Sequence, residues 1–403
     1  MTPEGTGSLL SGLECPGCGR TADADAPATV CPACGGALFA TYRLDRCDGA
    51  AWARGLAGRP ATLWRYRELL PVRRAGAIAS LGEGFSPVLP LGPVPAWPEG
   101  EVWVKDEGGL PTGSFKARGM AVAVSRAREL GMTRLFVPSA GNAGVALAAY
   151  AARAGLAAAV YLPQATPEPM VRACRRYGAR VVQVPGTIRE AGLAARAAEG
   201  PAGGFDVSTL REPYRAEGKK TMGLEIWEQF RPDRLPDAIV YPTGGGTGLV
   251  GMHRAFEQLR ALGLLERAPR LLAVQPEGCA PVVRALGDGA AEATPWTDPP
   301  PRTIAPGLLV PAPFSSGRIL EAVRRTGGAG VTVSDAEILA AGRELARRHG
   351  LLASPEGAAP YAALPRLAER GLLRPGERVL LLGTGSGLPF LLADDPNGSA
   401  KSG

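Results

Sequence analysis

Residues 102–119 read VWVKDEGGLPTGSFKARG, and this stretch decides the fold. Val102 to Val104 is a short apolar run, Gly108 to Gly113 carries the Gly and Pro of a tight turn, and Lys116 opens a segment of helical length over 117–131. A buried strand, a turn and a helix in that order form one half of a parallel-sheet unit. Working outward, apolar runs at 135–137, 157–162, 181–184, 238–241, 271–274 and 379–382 alternate with predicted helices at 143–154, 168–177, 215–230, 248–262, 335–348 and 356–370. The class that follows is α/β, a parallel sheet with helices on both faces and ligands at the carboxyl ends of the strands. There is no internal repeat, and a Pro-rich stretch runs from Pro87 to Pro98.

Composition narrows the function classes. The 403 residues are 45% hydrophobic and 21% charged, with a mean hydropathy near zero, which suits a globular chain of two or three domains. No charge-free run is long enough to span a bilayer and no basic, apolar leader follows Met1, so a cytoplasmic protein without a membrane partner is expected. The net charge of +7 is spread along the chain without a dense basic run, which argues against a nucleic-acid partner. Only five of the 45 Lys and Arg residues are Lys, at 105, 116, 219, 220 and 401. Guanidinium holds its proton whereas an ε-amine can lose it, so these positions are candidates for amine chemistry.

Seven Cys in such a chain do not read as a disulfide framework. Cys15-Pro-Gly-Cys18 and Cys31-Pro-Ala-Cys34 form two CxxC knuckles with twelve residues between them. That spacing can place four thiolates around one tetrahedral structural zinc, with Gly allowing the tight turns.

Further constellations follow strands. Near the first turn of its helix, Lys116 meets the positive dipole end, which disfavours a protonated amine and suits imine formation. Pro138-Ser139-Ala140-Gly141-Asn142-Ala143-Gly144 offers hydroxyl, amide and backbone N–H groups to a carboxylate. Tyr241-Pro-Thr-Gly244-Gly245-Gly246-Thr247-Gly248 can expose several N–H groups to one phosphate, and it matches neither a dinucleotide fingerprint nor a Walker loop. At the last strand, Gly383-Thr384-Gly385-Ser386-Gly387 places a hydroxyl where it could meet a ring nitrogen. An amine, a phosphate seat and a carboxylate nest on one α/β scaffold describe pyridoxal 5′-phosphate holding an amino acid.

These residues resemble the fold-type II pyridoxal-phosphate enzymes, and within them the threonine synthase family. PTGSFKARG (111–119), LGEGFSP (81–87), SAGNAG (139–144), EPYRAEGKKTMG (212–223), TGGGTG (243–248), SPEGAA (354–359) and TGSGL (384–388) stand in the family's order. The resemblance implies a tryptophan-synthase-β-like pair of doubly wound sheets preceded by a zinc-ribbon-like segment. It divides the chain into 12–41 (ribbon), 46–119 with 187–392 (large cofactor domain), 120–186 (small mobile domain) and a disordered tail over 393–403. It further implies that Lys116 binds the cofactor covalently and shuttles protons, and that Asn142 meets its phenolic oxygen. Gly244, Gly245, Gly246, Thr247 and Gly248 would cradle its phosphate and Thr384 would face its ring nitrogen. Ser114, Ser139, Gly141, Asn142 and Arg215 would hold substrate, Cys15, Cys18, Cys31 and Cys34 would hold zinc, and the assembly would be a homodimer.

The reaction so implied is O-phosphohomoserine plus water to threonine plus phosphate. The chain departs from the family pattern at Leu110, at Leu308 to Val310 and at Pro389, where polar residues are common. Two other readings fit the same residues: a lyase or replacement enzyme acting on another amino acid, and a zinc-ribbon binding protein built on a retired enzyme fold.

Overall fold

The computed structural model describes residues 7–231 and 234–394. Strands β1 (Leu10–Glu14), β2 (Thr21–Ala22) and β3 (Phe39–Tyr42) form a small antiparallel sheet in the order β2-β1-β3. The chain then makes the antiparallel pair β4 (Val88–Val94) and β5 (Trp97–Asp106). There follow β6 (Arg134–Pro138), β7 (Ala157–Pro163), β8 (Arg180–Val184) and β9 (Phe205–Asp206), and finally β10 (Ala238–Pro242), β11 (Arg270–Pro276), β12 (Gly330–Val333) and β13 (Arg378–Gly383). The larger sheet runs β12-β11-β10-β13-β5-β4 and the smaller β8-β7-β6-β9, parallel throughout except for β4.

Central parallel strands are covered on both faces and so read as unbroken apolar runs. All of β10 is buried, and so is β13 after Arg378. Sequence patterning finds these strands and misses β4, because Pro90 and Gly92 interrupt it. Proline lacks the N–H that a ladder needs, and β4 accordingly lies at the sheet edge with irregular register on both sides of Gly92. The helix expected over 356–370 is two, Pro355–Ala362 and Leu364–Glu369, the second opening on a Pro in its first turn.

The smaller unit, expected to end at residue 186, continues to Asp206 as a structural layer. Helix Ile188–Glu199 packs on β6 and β7, and β9 pairs with β6. At the other end, the last helix spans Leu388–Asp394, into the expected tail, whose residues 395–403 lie outside the described residues.

Three helices position the site: Lys116–Glu129, Tyr214–Gln229 and Thr247–Ala261. Small residues let them approach closely. A Cβ on Gly218 would collide with the Arg118 carbonyl, one on Gly251 would sit 2.8 Å from the Lys220 nitrogen, and one on Gly223 would sit 2.7 Å from Ala255 Cβ. A Cβ on Gly119 would lie 3.2 Å from the Arg215 carbonyl, so the helix starts are level with one another. Lys116, Arg215 and Thr247, each at or next to its helix start, are thereby gathered at one end, where three positive dipole ends point the same way.

The cysteine-bearing segment docks on the far part of this helix layer. Arg126 donates to the Ala24 carbonyl (2.8 Å) and to Asp25 (2.6 Å), Tyr214 Oη reaches the same carbonyl (3.3 Å), and Tyr42 Oη donates to Glu217 (2.7 Å).

Candidate active site

The turn before Lys116 is held by the turn after β13. Ser114 bridges to Gly385, the Phe115 N–H donates to the Thr384 carbonyl (3.1 Å), and the Ser386 N–H donates to the Gly113 carbonyl (2.9 Å). Thr112 adopts φ +67°, a left-handed conformation that a threonine rarely takes and that the surrounding bonds sustain. Lys116 is the first residue of its helix, and its Nζ lies 4.0 Å from the Phe115 ring centroid. The same ring carries Lys219 Nζ at 3.4 Å and meets Tyr241 edge-on. Enclosure by protein and the nearby Arg215 charge bring the Lys116 amine down to about 7, against the opposing pull of Glu356.

Arg215 and Lys219 complete a wall of nitrogen donors. Arg215 spends one nitrogen on the Val207 carbonyl (2.8 Å), while its buried Nε has no partner. Its helix start is anchored by Glu212, whose carboxylate accepts the Tyr214 and Arg215 N–H groups at 2.7 and 2.9 Å. Lys219 donates to the Phe115 carbonyl, and burial with the charges of Lys116 and Arg215 holds its amine well below the usual lysine range. Ser114 Oγ and Thr112 Oγ1 are likewise buried and unpartnered, so two hydroxyls and a guanidinium nitrogen wait beside Lys116 for an acceptor.

The glycine loop lies where β10 enters its helix. A Cβ on Gly244 would strike the Gly307 carbonyl, one on Gly245 would sit 2.9 Å from Thr209 Cγ2, and on Gly246 and Gly248 it would strike Ile319 and Tyr241. Gly246 has φ +65°. No side chain fits along this turn, which leaves bare backbone and the N–H groups of a helix start, as phosphate binding needs.

The Ser139 loop closes the opposite side. Ser139 Oγ accepts the N–H groups of Gly141 (3.0 Å) and Gly144 (2.9 Å), and Gly141 sits at φ +132°, where a Cβ would meet Met170. Asn142 starts a helix that packs on the Pro111–Gly113 turn, which brings this loop to the Lys116 segment. Thr384 is buried just past β13, and Gly357 is packed so closely that a Cβ there would lie 3.4 Å from the Thr384 nitrogen. The Lys116 turn thus touches both the Thr384 turn and the Asn142 helix, and Gly307 links the glycine loop to Glu356. Sequence reasoning missed Thr112 and Glu356 as members. Each lies inside a recognised motif, which places it near the site but does not show that its oxygen goes unmet.

Other residues of the recognised motifs serve the fold. Arg118 is buried with Glu107 (2.6 Å), Glu225 (2.5 Å), Thr221 (3.0 Å) and Ser86 (3.2 Å), and Lys105 joins the same cluster through Glu225 (3.0 Å). Tyr214, Glu217 and Lys220 tie the helix to the cysteine-bearing segment and to Leu69. In LGEGFSP the work of Glu83 is internal, binding Trp64 (2.8 Å) and Tyr150 (2.7 Å). Of the apolar departures, Leu110 and Leu308 are packed in the core, while Val310 stands 3.2 Å from a Cβ placed on Gly244.

The four knuckle cysteines bring their sulfurs within 4.8 Å of one another. The knuckles match: the Gly19 N–H meets the Cys15 carbonyl and the Gly35 N–H meets the Cys31 carbonyl, both at 2.8 Å, with the glycines at φ +72° and +71°. Four converging sulfurs suit a tetrahedral metal.

Comparison with known proteins accords with this geometry. Residues 79–385 match the family model described as pyridoxal-phosphate dependent enzyme. The threonine synthase of Methanocaldococcus jannaschii is 33% identical over 93% of this chain and 92% of its own length. That of Methanosarcina acetivorans is 34% identical over 93% and 91%. Among solved structures, a threonine deaminase from T.th. superposes with a TM-score of 0.58 at 30% identity, covering 71% of this chain and 87% of that one. Maize serine racemase superposes at 0.65 and 20% identity, covering 77% and 91%, which speaks for the fold alone. Among the described residues no helix is long and apolar enough to cross a membrane. With its lysine, glycine cradle and hydroxyl turn gathered at one end of three helices, the chain belongs to the fold-type II pyridoxal-phosphate-dependent enzymes and, within them, to the threonine synthase family.

Proposed function

We propose that this enzyme converts O-phosphohomoserine and water to threonine and phosphate. The observation that carries the reading is a wall of nitrogen donors, the buried Arg215 guanidinium with the Lys116 and Lys219 amines, and the unpartnered Ser114, Thr112 and Arg215 Nε atoms beside it. Such a wall favours a substrate bearing a second, mobile anion in addition to its carboxylate.

Pyridoxal phosphate, held covalently by Lys116, supplies an electron sink for the Cα of the bound amino acid. Gly244, Gly245, Gly246, Thr247 and Gly248 would hold its phosphate, Asn142 would meet its phenolic oxygen and Thr384 would face its ring nitrogen. The substrate carboxylate is received by the Ser139–Asn142 turn, where Ser139 fixes the N–H groups of Gly141 and Gly144. Lys116 is the base: an amine with an affinity near neutrality is unprotonated often enough to take a proton from Cα and then from Cβ. Arg215, Ser114 and Lys219 draw the γ-phosphate off Cγ with its bonding electrons. Water then adds its oxygen to Cβ, and protons returned to Cγ and Cα complete threonine. Zinc at Cys15, Cys18, Cys31 and Cys34 serves structure, since all four positions are filled by protein sulfur. A cytoplasmic homodimer is the assembly we propose.

The apolar Val310 beside the glycine loop favours one second reading, another phosphorylated amino acid as donor. Both readings are tested together by incubating purified holoenzyme with O-phosphohomoserine or O-phosphoserine and assaying phosphate and amino-acid products. Equimolar phosphate and threonine from O-phosphohomoserine is the expected result. Turnover of O-phosphoserine alone would replace the first reading by the second.

A further inference from the structure

Helix Tyr214–Gln229 has two faces at its start, and the proposed reaction uses one of them. Residues three or four apart share a helix face. Arg215 and Lys219 turn to Phe115 and Lys116, whereas Tyr214, Glu217 and Lys220, all buried, turn to the cysteine-bearing segment. Tyr214 Oη donates to the Ala24 carbonyl (3.3 Å), Glu217 accepts from Tyr42 Oη (2.7 Å), and Lys220 Nζ stands 4.1 Å from the Tyr42 ring centroid. Side chains of the two flanking helices close on the same contact. Arg126 donates to the Ala24 carbonyl (2.8 Å), and Arg254 donates to the Ala40 carbonyl (2.5 Å) and to Glu217 (3.2 Å).

Ala24 lies in the link between Cys18 and Cys31, beside the two-residue strand Thr21–Ala22, and Tyr42 ends the strand that follows Cys34. So small a segment buries too little to keep its own shape, and a metal closed on four sulfurs supplies the missing stability. Cys15 and Cys31 are buried whereas Cys18 and Cys34 are exposed, so each knuckle turns one sulfur inward and one to water. A metal among them is within reach of a chelator. At the other end of these contacts, Arg215 is bonded to the Val207 carbonyl through one nitrogen and keeps Nε unmet, so its direction follows its helix start.

We propose that the four-cysteine site is a clamp on the phosphate end of the active site, with Tyr214 and Glu217 as its positioning residues. Zinc fixes the segment that carries Ala24 and Tyr42, these two hold Tyr214 and Glu217, and the helix start so held presents Arg215 and Lys219 to the γ-phosphate. The inference rests on the roles proposed above for Arg215 and for zinc, and adds the coupling between them. Coupling of two sites is reciprocal, so phosphate must tighten zinc by the factor with which zinc tightens phosphate.

The test uses holoenzyme with zinc, and after removal of zinc by a chelator under reducing conditions, and reads the binding of inorganic phosphate by equilibrium dialysis. Stripping zinc should weaken phosphate binding about tenfold while the visible band of lysine-bound cofactor stays. Saturating phosphate should in turn make zinc about tenfold harder to withdraw in competition with a chelating dye. The double variant Tyr42→Phe/Tyr214→Phe keeps both rings and loses both hydroxyl ties. With zinc bound it should hold phosphate as weakly as stripped wild type and lose nothing further on stripping, a comparison that stands even where stripping unfolds the segment. Equal phosphate affinity in every preparation overturns the clamp while the substrate site stands. So does a loss on stripping that the double variant repeats in full, since the ties would then transmit nothing, and so does a chain whose cysteines take up no zinc. Phosphate affinity unchanged by Arg215→Ala overturns the reading of the substrate site, and the proposal with it.

Discussion

Two buried charge clusters lie one helical turn or less apart on the same helix, and they are built on opposite terms. Around Arg118, every charge has its partner: Glu107 and Glu225 share the guanidinium, Lys105 pairs with Glu225, and Ser86 and Thr221 fill the remaining bonds. Around Lys116, two amines and a guanidinium crowd together so that burial and mutual repulsion push protons off the amines, and buried atoms of Thr112, Ser114, Arg215 and Glu356 are left without partners. The first cluster has nothing left to offer a ligand and serves the fold. The second is costly when empty and therefore belongs to the ligand.

The sharpest way to break this contrast is to truncate each centre in turn. Lys116→Ala should lower turnover by about 10³-fold or more and abolish the visible band of lysine-bound cofactor, while the apoprotein melts no lower than wild type. Arg118→Met should do the reverse. It leaves Glu107 buried without its counter-charge beside the remaining Lys105–Glu225 pair, so unfolding by urea should show a loss of about 3–5 kcal/mol, with the cofactor band intact in the fraction that folds. Equal stability losses in both variants would erase the distinction.

A smaller effect sharpens the second cluster's role. Arg215→Ala should cost about 10–100-fold in kcat/KM for O-phosphohomoserine, the worth of one charged hydrogen bond, and should leave the cofactor band in place. Loss of the band instead would move Arg215 from substrate to cofactor.

A last effect is on pH. The Lys116 amine, near 7 when folded and about 10.5 when unfolded, makes the unfolded chain hold more protons between those values. The apoprotein should therefore gain stability from this group as pH rises from about 7 toward 10. Melting scans of Lys116→Met should show a shallower rise over that window.

Much of this was legible in the chain itself. Lys116, the Gly244–Gly248 loop and the Ser139–Gly144 loop are local signals, each a strand end running into a helix, and the cysteine knuckles carry their own spacing. The scarcity of Lys was a partial guide. Lys105, Lys219 and Lys220 proved to be buried ties to carbonyls, carboxylates and an amide, and Lys116 alone among the described lysines keeps a partly open side chain. What separates Arg118 from Lys116 is whether residues a hundred positions away, Glu225 or Arg215, supply a counter-charge or withhold it. Neighbours in sequence do not encode that. Glu356 and Thr112 were hidden for the same reason, since an unmet oxygen exists only once tertiary packing has removed water. Likewise β4 was masked by its prolines until the sheet gave it an edge.

The central claim is that the unmet cluster is the cofactor's seat and that Lys116 alone carries it. Reducing the pyridoxal-phosphate-loaded enzyme with borohydride and mapping the modified peptide by mass spectrometry tests this most directly. The account predicts the pyridoxyl adduct on Lys116, in the peptide that includes Ser114 and Phe115, and on no other lysine. An adduct on Lys219, whose amine shares the Phe115 ring, or on Lys105 of the paired cluster would contradict it.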